Sequence, residues 1–377
     1  MTKYPVVVYG ASGYTGMLIM DWLIDQNIPF TAVGRSAKRV QEMMAQRVVR
    51  LESATCEIVE TEHTVDALAK IFKGAKVVCN TVGPFGQYGA VAVEAALEAG
   101  CHYIDTTGEQ SYIIDVRDRF GAAYREAGLL LSPSTAYMYT FAEIAAELAL
   151  ETQGIDCLET ATLCRGTRFA AAGVTVGSTA SIFGMARVKQ RYLWEKQLVE
   201  HPVTACFNVV DPSFMQPVFS LPWSGTSLPV YYQQDPRVRS CISAVGFYDN
   251  NVMQLAHGFF QKWDAEYKNL PAEHQDAILK AAVDSTTPSM PPRERTTTVR
   301  TVDFAIGRGQ LAAVRATVHG LTAYISTGAL QAAAVLKLLD GETNKVGFAS
   351  ACKAFGHRYL LGFLEQRGLA RATVTQL

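Results

Sequence analysis

The sequence predicts an α/β protein: a doubly wound parallel sheet, then a second α+β domain with a largely antiparallel sheet. Three observations carry that expectation. From Val6 to Ser132, short uncharged apolar runs alternate with helix-length runs, the pattern of βαβ units. The turn Gly10-Ala-Ser-Gly13-Tyr-Thr-Gly16 joins the first strand to the first helix. Beyond about Ser134, strands follow one another without helices between them, which suits antiparallel pairing.

Val6–Tyr9 is β-branched and uncharged, the mark of a strand buried on both faces. Thr15–Gln26 reads as a helix whose apolar side holds Met17, Leu18, Trp22 and Leu23. Strand and helix then alternate through Phe30–Val33, Ala37–Arg47, Thr55–Glu60, Val65–Phe72 and Lys76–Thr81. A helix at Val91–Ala99 ends at Gly100, and His102–Thr106 is a strand. A helix at Arg117–Ala127 stops at Gly128, before the sixth strand, Leu129–Ser132. Phe141–Leu150 is helical. Leu158–Cys164, Cys241–Tyr248, Val299–Ile306 and Leu311–Val318 have strand composition, the last two joined by a hairpin turn at Gly307-Arg308-Gly309-Gln310. Proline-rich pieces at Ser220–Pro229 and Ser285–Arg295 read as loops over a cleft. Ser326–Leu339 is a nearly all-apolar helix, and Phe348–Arg367 an amphipathic one that stops at Gly368. The domains so defined are 1–135 and 136–322, with closing helices over 323–377.

A chain of 377 residues is long enough for two cores, since single cores stop growing near ~250–300 residues. Its 34 basic and 35 acidic residues leave a net charge of −1, which supplies no electrostatic reason for a nucleic-acid or anionic-membrane partner. The eight cysteines are scattered, without a C-x-x-C pair or a His at metal-ligand spacing, so free thiols and no metal site are expected. Met1-Thr2-Lys3-Tyr4-Pro5 runs straight into a strand and no run of 18 uncharged apolar residues exists. A cytoplasmic protein without a signal peptide or spanning helix is therefore expected, and we expect a homodimer.

The glycine turn follows G-x-x-G-x-x-G, with Ser12 in the usual place of a middle glycine. One glycine permits the sharp turn, another lets the backbone approach a pyrophosphate, and a third lets helix pack on strand. The helix N-terminus, with Tyr14 and Thr15 in its opening turn, favours the anion, and Ser12 adds a hydroxyl donor. A plain helix-starting turn is the alternative. At the end of strand two stands Gly34-Arg35-Ser36. An NAD site carries Asp or Glu there, whereas Arg suits a ribose 2′-phosphate. Arg35 is a bidentate phosphate ligand with Ser36, Lys38 or Arg39 to assist, unless it only caps the sheet edge. The expected cofactor is accordingly NADP(H). Past strand four, the loop Thr81-Val82-Gly83-Pro84 can approach the nicotinamide ribose. At the end of strand five, Asp105-Thr106-Thr107-Gly108-Glu109 either orients the nicotinamide end or a substrate, or caps the next helix.

With these motifs the chain resembles the saccharopine-dehydrogenase-like NADP-binding oxidoreductases, a group that includes the bacterial trans-acting enoyl reductases. The resemblance rests on GASGYTG, GRS, NTVGPFGQYG, GCHYIDTTGE and the closing apolar helices. It implies an N-terminal Rossmann-type domain, an inserted catalytic domain and C-terminal helices returning to the first. Some members act on C–N bonds of amino acids and others reduce C=C bonds. After strand six, SPSTAYMYTFAEI departs from the run that the enoyl-reductase branch carries there.

A reductase needs a proton donor beside the hydride acceptor. Tyr137 and Tyr139, leaving strand six, are the preferred donors, against the alternative that both pack at a domain junction. Asp105 completes the catalytic candidates. His319 is a second acid, or a structural hydrogen-bonding group. Arg165 and Arg168, ahead of the Gly173–Gly177 run, either hold a substrate carboxylate or carrier phosphate or are solvated surface arginines. Phe207, Phe214, Phe219, Trp223, Tyr231 and Tyr232 either wall an apolar pocket or belong to core and interface. The function expected is NADPH-dependent reduction of a C=C or C=N bond in a small or carrier-bound substrate. The contrasting class is a non-catalytic NADP(H)-binding sensor or scaffold.

Overall fold

This computed structural model describes residues 3–166, 174–222, 226–248, 250–296 and 299–377. The chain forms two compact units. One comprises Met1–Thr107, Tyr112–Thr140 and Ala323–Arg367, and the other Gly108–Ser111, Phe141–Thr322 and Gly368–Leu377.

The chain opens with β1 (Val6–Tyr9), α1 (Tyr14–Asp25), β2 (Phe30–Gly34), α2 (Ala37–Arg47), β3 (Cys56–Glu60) and α3 (Val65–Phe72). It continues with β4 (Val77–Asn80), α4 (Phe85–Glu98), β5 (His102–Asp105), α5 (Gln110–Glu126), β6 (Leu130–Ser132) and α6 (Tyr137–Leu150). Next come β7 (Cys157–Gly166), α7 (Val176–Gly184), β8 (Arg191–Trp194), β9 (Gln197–Glu200), β10 (Phe207–Val210) and β11 (Pro217–Leu221). These are followed by α8 (Ser227–Tyr232), β12 (Ser240–Phe247), α9 (Asn250–Lys262), α10 (Ala272–Thr286), β13 (Val299–Arg308) and β14 (Ala313–Leu321). The last elements are α11 (Tyr324–Leu339), β15 (Gly347–Phe348), α12 (Ala351–Phe355), α13 (His357–Glu365) and β16 (Ala370–Gln376).

The first unit holds a sheet in the order β15-β6-β5-β4-β1-β2-β3, parallel at every pairing. Its central strands are fully buried, with Val6, Val7, Val8, Val77 and Val78 all at 0% exposure, because helices cover both faces. The strand order reverses between β1 and β4, which opens a crevice at their carboxyl ends. α1 is buried nearly all round, and its second neighbour is α11. A Cβ on Gly328 would lie 2.7 Å from the Leu18 carbonyl oxygen, so α11 approaches α1 backbone to backbone. Trp22 Nε1 donates to the Ile325 carbonyl at 3.0 Å. The alanine-rich composition of α11 follows from that packing.

The second unit holds a mixed sheet in the order β10-β11-β12-β7-β13-β14-β16, with β8 and β9 branching from β12. Its pairings are antiparallel except β12 on β7. One face carries a core of Ala161, Leu163, Val218, Val302 and Phe304. The expected class, a doubly wound parallel sheet plus an α+β unit with a largely antiparallel sheet, is what the structure has. Among the described residues no helix is long and apolar enough to cross a membrane.

Several expected elements differ. The second unit does contain helices between strands, α7, α8, α9 and α10. In α10 the only buried side chain is Val283, so it lacks a broad apolar stripe to read. The hairpin bend joining β13 to β14 falls two residues later than expected, where Gly309 N–H donates to the Ala312 carbonyl. The closing segment is not one helix. Phe348 belongs to β15, and Gly356 at φ +88° separates α12 from α13. Residues 370–376 form β16, whose mostly exposed polar side chains lack strand-like apolar alternation. α4 begins at Phe85, six residues before the expected start. Gly89, expected in a loop, is a helix-packing glycine, since a Cβ there would lie 2.4 Å from the Tyr112 ring.

Candidate functional site

The glycine turn sits where β1 meets its neighbours. Gly10 and Ala11 N–H groups donate to the Val33 carbonyl at 3.0 and 3.1 Å, and Gly13 N–H to the Gly10 carbonyl at 2.8 Å. Gly10 has φ +89°, and a Cβ there would lie 2.5 Å from Thr81 Oγ1. A Cβ on Gly16 would lie 2.6 Å from the Gly10 carbonyl oxygen. The turn is therefore as tight as backbone permits, and Thr81 Oγ1 braces it by donating to the Tyr9 and Gly10 carbonyls at 3.0 and 3.2 Å. Gly13 is the N-cap of α1 and no side chain caps this helix, so its N-terminal amides and dipole face outward for an anion. Ser12 and Thr15 are half-buried, and Tyr14 is buried with its ring edge-on to Tyr324 at 5.0 Å.

At the end of β2, a Cβ on Gly34 would lie 2.7 Å from Val40. Arg35 is exposed and forms no ion pair or hydrogen bond among the described residues. Ser36 caps α2 by accepting from Arg39 N–H at 3.3 Å, which leaves its own proton to donate. Glu60 accepts from Ala37 N–H at 2.8 Å. Lys38 pairs loosely with Glu42.

His63, in the loop after β3, was not legible as a site residue. Tyr9 Oη and His63 Nδ1 are 2.6 Å apart, and the rings stack at 6.0 Å. Burial pushes the Tyr9 phenol up to about 12, against the opposing field of Arg35. Burial, with Arg35 adding to it, lowers the His63 pKa although the Tyr88 backbone opposes the shift. The imidazole is thus held neutral beside the guanidinium. Only its place at a strand's carboxyl end signalled it in sequence.

The ends of β4, β5 and β6 are tied by a buried polar network. Asp105, fully buried, accepts from Thr107 N–H at 3.0 Å, Ser134 N–H at 2.9 Å and Tyr112 Oη at 3.0 Å. Tyr112 Oη lies 3.1 Å from Tyr103 Oη, to which Asn80 Nδ2 donates at 2.8 Å, and Asn80 Oδ1 accepts from Val82 N–H at 2.9 Å. Ser134 adopts φ +64° and its hydroxyl donates to the Thr107 carbonyl at 2.8 Å. Gln331 of α11 donates to the Asp105 and Thr135 carbonyls at 3.1 and 2.7 Å. Burial raises the Asp105 pKa to about 6 despite these donors, and pushes the Tyr103 and Tyr112 phenols well up. Among these residues the sequence singles out Asp105, Thr107 and Val82, whereas Gln331 reads as an ordinary helix residue and Tyr112 carries no site signal.

Gly10 to Gly16, Gly34 to Ser36, Thr81 to Pro84, Asp105 and Thr107 thus all lie at strand carboxyl ends in the first unit. Tyr137 is buried and Tyr139 half-buried in the first turn of α6, which starts four residues earlier than expected. The Tyr137 N–H donates to Thr327 Oγ1 at 3.1 Å. The remaining candidates lie in the second unit. Glu109 accepts from Ser181 Oγ at 2.6 Å. Arg165 and His319 are exposed, and His319 makes no side-chain hydrogen bond among the described residues. Tyr232 is core, with its hydroxyl on Glu147 at 3.2 Å, while Phe207 and Phe219 lie on β10 and β11. Arg168, Gly173 and Trp223 fall outside the described residues.

A glycine turn braced at a topological switch point, opening an uncapped helix beside a free arginine, defines a dinucleotide-binding α/β protein. Residues 6–158 match the saccharopine dehydrogenase NADP binding domain. Residues 140–376 match a family of unknown function (DUF5938), and the chain belongs to that family. The first unit fits the group that such a domain holds: the turn is closed so tightly that a Cβ at Gly10 or Gly16 would clash within it, no side chain caps α1, and among the described residues no carboxylate pairs with Arg35. The cofactor is NADP(H).

Curated relatives match over the N-terminal region. They include a lipid droplet localized protein of Caenorhabditis elegans, 32% identical over 34% of this chain and 32% of that one. A saccharopine dehydrogenase-like oxidoreductase of Mus musculus is 29% identical over 36% of this chain and 34% of that one. A trans-acting enoyl reductase of Mycobacterium ulcerans is 33% identical over 28% of this chain and 26% of that one. The matches span about a third or less of each relative's length. The fold is that of the apo saccharopine dehydrogenase (L-Glu forming) of Saccharomyces cerevisiae, with a TM-score of 0.64 at 11% identity, covering 99% of this chain and 100% of that one.

Proposed function

We propose that the protein is an NADPH-dependent oxidoreductase that reduces a C=C or C=N bond of a small or carrier-bound metabolite. The observation that carries this reading is the uncapped N-terminus of α1 behind a turn with no room for a side chain at Gly10 or Gly16. In this reading Gly10, Ser12, Gly13, Tyr14, Thr15 and Gly16 cradle the pyrophosphate. Gly34, Arg35 and Ser36 take the 2′-phosphate, and Thr81, Val82, Gly83, Pro84 and Thr107 line the nicotinamide end. NADPH, when bound, supplies the hydride. Tyr137 or Tyr139 supplies the proton to the neighbouring atom. Asp105, with all its donors internal, fixes the loops after β5 and β6 and so acts as a positioning residue. Residues 1–135 then form the cofactor domain and 136–322 the substrate domain.

The closed network around Asp105 favours a second reading, an NADP(H)-binding sensor without turnover. NADPH oxidation over a panel of enoyl thioesters, cyclic imines and enones separates the two. Turnover that falls in Tyr137→Phe or Tyr139→Phe, with NADPH affinity retained, supports the reductase. Tight NADPH binding with no turnover across the panel overturns it. Arg35→Asp should weaken NADPH binding by about tenfold or more while sparing NADH. Equal losses for both cofactors would remove the 2′-phosphate role.

A further inference from the structure

The register of the second-unit sheet sets nitrogen-donor side chains directly opposite one another. Arg165 on β7 faces Arg300 on β13, and His319 on β14 faces Arg371 on β16. Directly opposed residues of an antiparallel pair share a face, and like charges there repel. The two pairs are neighbours, because Val302 of β13 opposes both Leu163 of β7 and His319 of β14. Among the described residues the side chains of Arg300, His319 and Arg371 form no ion pair or hydrogen bond, and that of Arg165 has only ring contacts. All four side chains are exposed and line one cavity of about 460 Å³.

The rest of the lining says what else a ligand would meet. The Arg165 guanidinium lies over the rings of Phe214 and Tyr248, at 4.5 and 5.4 Å from their centres. Two aromatic neighbours hold that guanidinium in place without neutralising it. The adjacent carboxylate, Asp211, is fully buried and already committed: it accepts from Tyr248 Oη and from the N–H groups of Ser213 and Phe214. Leu321 and Leu369 add apolar surface. Three guanidiniums and an imidazole beside aromatic and leucine side chains match an oxyanion of more than one charge carried on an apolar body.

We propose that this cavity is a binding site for a phosphate monoester with an apolar or aromatic body. The site lies wholly in the second unit, and the argument for it does not rest on the reductase reading. The anion removes the repulsion within the Arg165–Arg300 pair and gives His319 and Arg371 a shared acceptor, and the body lies against Phe214 and Tyr248.

Calorimetric titration of the full chain with phenyl phosphate tests this, with inorganic phosphate and phosphatidic-acid vesicles as parallel arms. Phenyl phosphate should bind, and the Arg300→Gln/Arg371→Gln pair should weaken it about tenfold or more through two lost charged hydrogen bonds. Arg35→Asp, which alters the NADP(H) turn, should leave this binding unchanged. Inorganic phosphate should bind more weakly than phenyl phosphate. Vesicle binding stronger than phenyl phosphate binding, and lost in the double variant, identifies the monoester as a lipid headgroup. The single variant Arg165→Gln repeats the test at the other end of the cavity, and phenyl phosphate should raise the melting temperature of the wild type but not of the double variant. No binding of any probe at millimolar concentration overturns the proposal. So does binding that survives in both sets of variants, or that is lost in Arg35→Asp alone.

Discussion

The molecule handles charge in two opposite ways. In the first unit, Asp105 is a lone carboxylate without access to water, and every donor it needs is built around it. In the second, Arg165, Arg300 and Arg371 are exposed on a sheet face where, among the described residues, no carboxylate meets them. A buried charge left unpaired would cost several kcal/mol, so its partners have to come from the fold itself. An exposed charge keeps its hydration, so the chain tolerates it unpaired at small cost and leaves it for a partner from outside. The difference separates a group that shapes the protein from groups that are available to a ligand.

The largest test of that contrast is Asp105→Ala. It strands the Thr107 and Ser134 N–H groups and the Tyr112 hydroxyl in a site without water. We expect a loss of about 3–5 kcal/mol in urea unfolding. A loss below about 1 kcal/mol would mean that the loops after β5 and β6 hold themselves and that Asp105 is free for other work.

The same carboxylate should write a pH dependence. Its pKa rises from an unfolded value of 3.8 to about 6 in the folded protein. The raised value means that the folded state binds the proton more tightly. This contribution is fully present below about pH 4 and is lost as pH rises towards and through 6, a change of roughly 3 kcal/mol. Other carboxylates overlay the opposite trend, so the measurable quantity is the difference between wild type and Asp105→Asn from pH 4 to 7. A flat difference would show that the internal donors cancel the burial.

How much of either region was legible follows from how local its cause is. The β1–turn–α1 crossover was readable because three valines and three glycines stand within eleven consecutive positions, Val6 to Gly16. Arg35 was readable for the same reason, lying one residue past β2. The Asp105 network was only half readable. The acid stood at a strand end, but Tyr103, Tyr112 and Gln331 reach it through packing between helices and sheet, and a buried tyrosine looks the same in sequence whatever its hydroxyl does. Gly89 misled for a related reason: its missing side chain serves the ring of Tyr112, not a loop. The arginine face was not readable as a face. Arg165 and His319 each drew attention alone, but only the register of four strands sets them beside Arg300 and Arg371, and β16 itself went unrecognised.

The smallest expected effect is the sharpest on the second region. If Arg165 and Arg300 are opposed like charges without a counter-ion, removing one should stabilise the chain in phosphate-free buffer. Opposed pairs on a sheet contribute on the order of 0.2–1 kcal/mol, so Arg300→Gln should raise the unfolding midpoint slightly. Added salt should shrink the gain, because exposed charges are screened within a Debye length of ~10 Å at 0.1 M. Arg308→Gln is the control on the same strand, since Arg308 pairs with Glu159 at 3.2 Å and its loss should bring no gain. If both variants destabilise the protein equally, the cations on this face are not in conflict, and the contrast with Asp105 reduces to exposure alone.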